Sequence, residues 1–154
     1  MSFRHTVLQE GMNVFRRHGI RELSMEAILS QLDISRGTLA EIARSKTELL
    51  EQCVEQALTE RKIQFAQIMS MHTNPPQTII KLLRLHLETL AGNHPAFFTD
   101  LQSYHQPCWD QIEEFSEQIL KVYLKQLLAE GLEQEHFQPN LDAKLVSQLL
   151  LAQA

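Results

Sequence analysis

An all-α fold is predicted by three features of the sequence. Apolar residues recur at spacings of three and four along the chain, without a convincing two-residue alternation. Only five glycines and five prolines interrupt them. Hydroxyl and amide residues that cap helices stand just ahead of successive apolar runs. The expected architecture is a three-helix head over residues 1–46, joined through a long fourth helix to a helical body over residues 47–154.

The first helix is predicted from about Arg4 to His18, with Val7, Leu8, Gly11 and Phe15 on one face and Gly19 placed to stop it. Arg16, Arg17 and His18 crowd its last turn, where cations suit the helix dipole and could equally meet phosphate.

The stretch from Ser24 to Leu50 reads as a helix-turn-helix followed by the start of a longer helix. Ser24 is an N-cap, Glu26 sits in the first turn, and Ala27, Ile28 and Leu32 form an apolar face. Asp33 breaks that pattern, Ile34 plugs the turn, and Ser35 caps the helix that opens with Arg36, Gly37, Thr38 and Leu39. Ser45-Lys46-Thr47-Glu48 matches a capping box ahead of Leu49 and Leu50. The helix begun there carries Val54, Ala57, Leu58, Phe65, Ile68 and Met69 and runs to about Met71, long enough to connect head and body.

Thr73-Asn74-Pro75-Pro76 ends it, and Pro76 opens the next helix. Ile79, Ile80, Leu82, Leu83, Leu85, Leu87 and Leu90 cover more than one face, the pattern of a central buried helix. Gly92-Asn93 closes it. Pro95 starts a short helix through Phe97, Phe98, Leu101 and Tyr104, and Pro107 starts the next. From Trp109 the residues Ile112, Phe115, Ile119, Tyr123 and Leu127 step along one face of a long helix expected to close at Gly131. Asn140 caps a last helix with Leu141, Leu145, Val146, Leu149 and Leu150.

With 44% hydrophobic and 21% charged residues, the composition is that of a globular protein, and no apolar run approaches a bilayer span. No signal-peptide pattern opens the chain and Cys53 and Cys108 are too few for a disulfide framework, so a cytoplasmic protein without membrane partners is expected. The net charge of −5 is unevenly spread: residues 1–50 hold seven basic and six acidic side chains, or +1, and the rest hold seven and thirteen, or −6. Such a balance fits a small DNA-binding head on an acidic body.

The head resembles the tetracycline-repressor (TetR) family of bacterial transcriptional regulators. The resemblance lies in the first helix ending near Gly19, the Ile28 to Ile34 stretch, Ser35-Arg36-Gly37-Thr38-Leu39, and Ser45-Lys46 with Leu49-Leu50, covering roughly a third of the chain. It implies a homodimer with a helix-turn-helix in each head, a ligand pocket in each body, and a dimer built from the C-terminal helices. The apolar face of the last segment, LVSQLLLAQA, suits such a partner, though the chain ends where one more helix is expected. Where the family usually has Tyr-x-His-Phe or Tyr-x-Tyr-Phe, this chain has Ala40-Glu41-Ile42-Ala43, and Asp33 stands where glycine is usual. The aromatic commonly found at the Ala40 position contacts the DNA backbone, and Glu41 adds a charge that phosphate repels.

A helix fits the major groove, and its N-terminal residues face base edges, which singles out Ser35, Arg36 and Thr38 for sequence reading. Arg36 suits guanine, Gly37 allows close approach, and Ser24, Thr38 and Lys46 are placed to reach phosphates. In the body His86, Phe97, Phe98, Leu101, Tyr104, Trp109 and Ile112, with His105 nearby, are the candidates for an apolar effector site with polar tips.

Metal and catalytic patterns are weak. Glu133-x-x-His136 occurs once, His105 and Cys108 have no second pair, and no phosphate-cradling loop or nucleophile elbow occurs. No metal, cofactor or enzymatic activity is expected. The function read from the sequence is a ligand-responsive transcriptional repressor that binds a near-palindromic operator in double-stranded DNA as a homodimer and answers an unidentified small molecule. The competing reading is a dimer of the same fold that binds a ligand or protein and has lost operator recognition.

Overall fold

The computed structural model describes residues 2–71 and 74–133, and every regular element among them is helical. The order is α1 (Phe3–His18), α2 (Met25–Leu32), α3 (Arg36–Ala40), α4 (Lys46–Met69), α5 (Pro75–Leu90), α6 (Ala96–Tyr104), α7 (Gln106–Glu114), a π-helical turn (Phe115–Leu120) and α8 (Lys121–Glu133). Two compact units share the chain. Among the described residues, the first takes 2–60 and Gly92–Gln111, and the second takes those of 61–91 and 112–133.

In the first unit, local chemistry sets each boundary. Ser2 Oγ accepts from His5 N at 3.1 Å to open α1. Val7, Leu8, Gly11, Val14 and Phe15 make its buried face. At Gly11 an added Cβ would meet Cys53 Sγ at 3.1 Å, so a side chain there would crowd α4. Gly19 ends α1 at φ 79°, a conformation that favours glycine, and its N–H donates to Phe15 O at 2.9 Å. Ile20, Leu23, Ile28, Leu39, Ala43, Leu49, Leu50, Val54, Phe97, Leu101 and Cys108 complete the core.

α2 ends on Asp33, at φ 53° and ψ 46°, the left-handed conformation that a C-terminal glycine commonly supplies. Aspartate is among the few other residues that adopt it at modest cost, so the turn keeps its shape without glycine. α4 opens with a capping box set one residue wide: Ser45 Oγ accepts from Glu48 N, and Glu48 Oε2 accepts from Arg44 N, both at 3.1 Å.

In the second unit α5 begins at Pro75, one residue ahead of the sequence expectation, because Asn74 caps it by accepting from Gln77 N at 3.0 Å. It is amphipathic rather than buried all round: Thr78, Ile79 and Leu82 are buried, whereas Ile80 and Leu87 are 55% and 60% exposed. α5 packs on α8, whose buried face is Leu124, Leu127, Leu128 and Gly131. Gly131 therefore lies buried within the helix rather than closing it. Phe115, in the π-helical turn, packs on Phe65 with ring centroids 5.7 Å apart. The expected Asn140 cap, the helix after it and His136 lie outside the described residues. Among the described residues no helix is long and apolar enough to cross a membrane.

Candidate functional site

The helix-turn-helix is built on two serine caps. Ser24 Oγ accepts from Ala27 N, and Ser35 Oγ accepts from Thr38 N, each at 3.1 Å. Ser35 Oγ also lies 2.7 Å from Thr38 Oγ1. Ser24 and Ser35 thus bond to their own helices while remaining exposed. Arg36 and Gly37 are exposed at the start of α3, and a Cβ on Gly37 would meet nothing within 4 Å.

Arg36 Nη2 donates to Glu26 Oε1 in an ion pair across the first turns of α3 and α2, with both side chains mostly in solvent. The Glu26 carboxyl is held below its ordinary pKa first by its own backbone N–H and then by Arg36. Sequence reasoning placed Glu26 only as a dipole partner; its pairing joins two helices and has no local signature. At the end of α3, Ala40 and Glu41 are exposed, Ile42 is half-buried and Ala43 is buried, so small residues fill the place where aromatics are usual.

Lys46 is half-buried. Its Nζ donates to the carbonyls of Ile20 at 2.9 Å, Leu23 at 3.1 Å and Arg21 at 3.4 Å, all in the turn between α1 and α2. The N–H groups of the same turn face Asp100 of α6, whose Oδ2 accepts from Ile20 N and Arg21 N at 2.9 Å. Burial pushes the Asp100 carboxyl up, but the Arg21 and Ile20 N–H bonds, the Arg21 guanidinium and His105 together hold it below its ordinary pKa. Arg21 also stacks over Tyr104, 4.8 Å from the ring centroid. The segment before α6 is tied down as well: His94 N donates to Arg16 O and Arg16 Nε to Asn93 Oδ1, both at 2.6 Å. Asp100 was missed in the sequence, where a single acid inside an aromatic helix carries no pattern.

The effector candidates fall into both units. In the first, Phe97 and Leu101 are buried, Phe98 and Trp109 are half-buried, and Tyr104 is exposed beneath Arg21. Phe98 meets Phe97 and Trp109 edge to face, with centroids 5.2 and 6.1 Å apart. In the second, Ile112 is half-buried, and the Nε2 of His86 is buried without a hydrogen-bond partner. Burial, and then Arg61, lowers the His86 pKa, so its imidazole is neutral at pH 7. A surface dent of about 400 Å³ lined by Glu10, Asn13, Arg16, Arg17 and Gly92 shares no residue with either group. Among the described residues no three His, Cys, Asp or Glu side chains are grouped to hold a metal.

Residues 7–53 match the model of bacterial regulatory proteins, tetR family. No curated protein matches the chain by sequence. Solved structures that share its fold include the following three. The ketosteroid transcriptional regulator KstR2 of Mycobacterium tuberculosis is 23% identical with a TM-score of 0.70, over 97% of this chain and 78% of that one. The reduced form of E. coli NemR is 14% identical with a TM-score of 0.78, over 98% and 82%. The transcriptional regulator FadR from Bacillus subtilis, in complex with stearoyl-CoA, is 14% identical with a TM-score of 0.65, over 98% and 82%. At these identities the likeness speaks to the fold.

Proposed function

We infer, from the match of residues 7–53 to the tetR family of bacterial regulatory proteins and from the shared fold, that this chain works as members of that family do. It is a transcriptional regulator that binds double-stranded operator DNA through its helix-turn-helix. It acts as a homodimer on a near-palindromic site and represses transcription until a small molecule releases it. The observation that carries this reading is the start of α3, where Arg36, Gly37 and Ser35 are exposed on a serine-capped helix of the kind that enters a major groove. Arg36 reads a guanine, and Ser24 and Thr38 meet flanking phosphates. Dimer heads on successive major grooves would stand roughly 34 Å apart.

The effector is proposed to be a small molecule with a large apolar part. Phe97, Phe98, Leu101 and Trp109 supply the apolar surface within the first unit. The structural neighbours point the same way, since one is a ketosteroid regulator and another holds stearoyl-CoA.

A second reading, a ligand- or protein-binding dimer without operator recognition, is favoured by one observation: the Lys46 amine is bound to three carbonyls and Glu41 faces solvent. Selection of bound sequences from a random DNA pool separates the two. A repressor enriches a near-palindrome whose affinity falls roughly 10- to 100-fold with Arg36→Ala. A pool that enriches nothing supports the second reading.

A further inference from the structure

The Glu26–Arg36 pair has little to do with stability. Both side chains lie mostly in solvent, at 73% and 67% exposed, where water and salt weaken an ion pair and it adds little to folding. Its effect is instead on where the guanidinium sits. Arginine carries five donors on a long side chain and, at the front of a helix-turn-helix, has two kinds of target: phosphate oxygens, present at every step of any duplex, and the O6/N7 edge of guanine, present only in some. An arginine free to swing serves the first as readily as the second.

Glu26 biases that freedom in two ways. It binds Nη2 and so favours one placement of the guanidinium, leaving the remaining N–H groups for another partner. It also puts a carboxylate beside the cation, so a phosphate approaching Arg36 meets a negative charge. The carboxyl stays ionised well into the acid range, since its own N–H and Arg36 both favour the anion. A guanine edge bears no net charge and suffers no comparable repulsion.

We propose that Glu26 is a specificity-determining positioning residue, which holds Arg36 off the phosphates and aims it at a guanine. This rests on the DNA-binding function proposed above. Glu26 lowers affinity for DNA in general and raises the ratio of operator to non-operator binding.

The test uses the full chain, its selected operator and a scrambled duplex, over a range of salt concentrations, with Glu26→Gln, Arg36→Ala and the double variant. Glu26→Gln is expected to bind the scrambled duplex roughly 3- to 10-fold more tightly, with a salt slope steeper by about one contact. The operator-to-scrambled ratio should fall by a similar factor, and the double variant should match Arg36→Ala. An unchanged ratio and slope in Glu26→Gln would overturn the role of Glu26 while leaving operator recognition standing. Equal effects of Glu26→Gln in the presence and absence of Arg36 would overturn it too. If the unaltered chain selects no sequence at all, operator recognition fails and this role with it. The substitution is at an exposed site, and an unchanged thermal melt shows that the variant is folded.

Discussion

Asp100 and Lys46 grip the same turn through opposite groups. Asp100 takes the N–H groups of Ile20 and Arg21, and Lys46 takes the carbonyls of Ile20, Arg21 and Leu23. A turn that would otherwise rely on water for these bonds is held by an anion on α6 and a cation on α4. Charged partners make the stronger hydrogen bonds, about 1.5–3 kcal/mol each in favourable settings.

Asp100→Ala should therefore cost about 2 kcal/mol or more, because it leaves the N–H of the buried Ile20 without its acceptor. Urea unfolding followed by circular dichroism measures it. The pH dependence follows from the depressed pKa. Relative to the Ala variant, the stabilisation is fully present above the ordinary value of 3.8 and is lost as pH falls toward the folded-state value. An equal loss at pH 3 and pH 7 would contradict it.

Lys46→Met should lower stability by about 1–2 kcal/mol through the released carbonyls. Because the amine is engaged by three backbone carbonyls, the same substitution should leave the salt slope of DNA binding unchanged. A slope reduced by about one contact would instead make Lys46 a phosphate anchor.

Asp33 predicts opposite outcomes for two replacements. Asp33→Gly should leave stability unchanged or raise it by up to about 1 kcal/mol, since glycine accepts the left-handed conformation freely. Asp33→Val should lower it by about 1–2 kcal/mol, because a branched Cβ crowds the backbone there. Thermal melts of the two variants decide the sign.

Burial pushes the Cys53 thiol up to about 12 and the Cys108 thiol up to about 11, and both side chains are almost fully covered. Neither should react with a thiol reagent at pH 8 in the folded protein, and both should react at once in denaturant. Fast labelling of one thiol under native conditions would show that its surroundings open.

His86 should destabilise the fold in mild acid. Its folded-state pKa lies below the ordinary 6.5, so the unfolded chain binds the proton more readily and stability falls as pH drops below 6.5. His86→Gln should flatten that part of the pH–stability curve.

The sequence made the helix starts legible because a cap acts over three residues. Ser24 to Ala27, Ser35 to Thr38 and Ser45 to Glu48 are each complete within one turn. Gly19 was legible as a stop for the same reason. What stayed hidden spans long separations: Lys46 meets Ile20 from 26 residues away, and Asp100 meets it from 80. Arg36 was legible as a candidate DNA contact from its place beside a cap, whereas its engagement with Glu26 depends on how α2 and α3 face each other. Apolar count misread α5, since leucine and isoleucine at Ile80 and Leu87 look the same whether covered or bare.

Residues 92–111 close over the same compact unit as the helix-turn-helix, though they arrive from a distant part of the chain. A chimera that transplanted only the first sixty residues onto a relative would carry α2 and α3 but leave Asp100 behind. The borrowed head would then have to find its second grip in the host. Exchange of operator preference between relatives should succeed most readily where the host supplies an acid at the place of Asp100, and the boundary of a successful graft is set by that hydrogen bond rather than by the end of a helix.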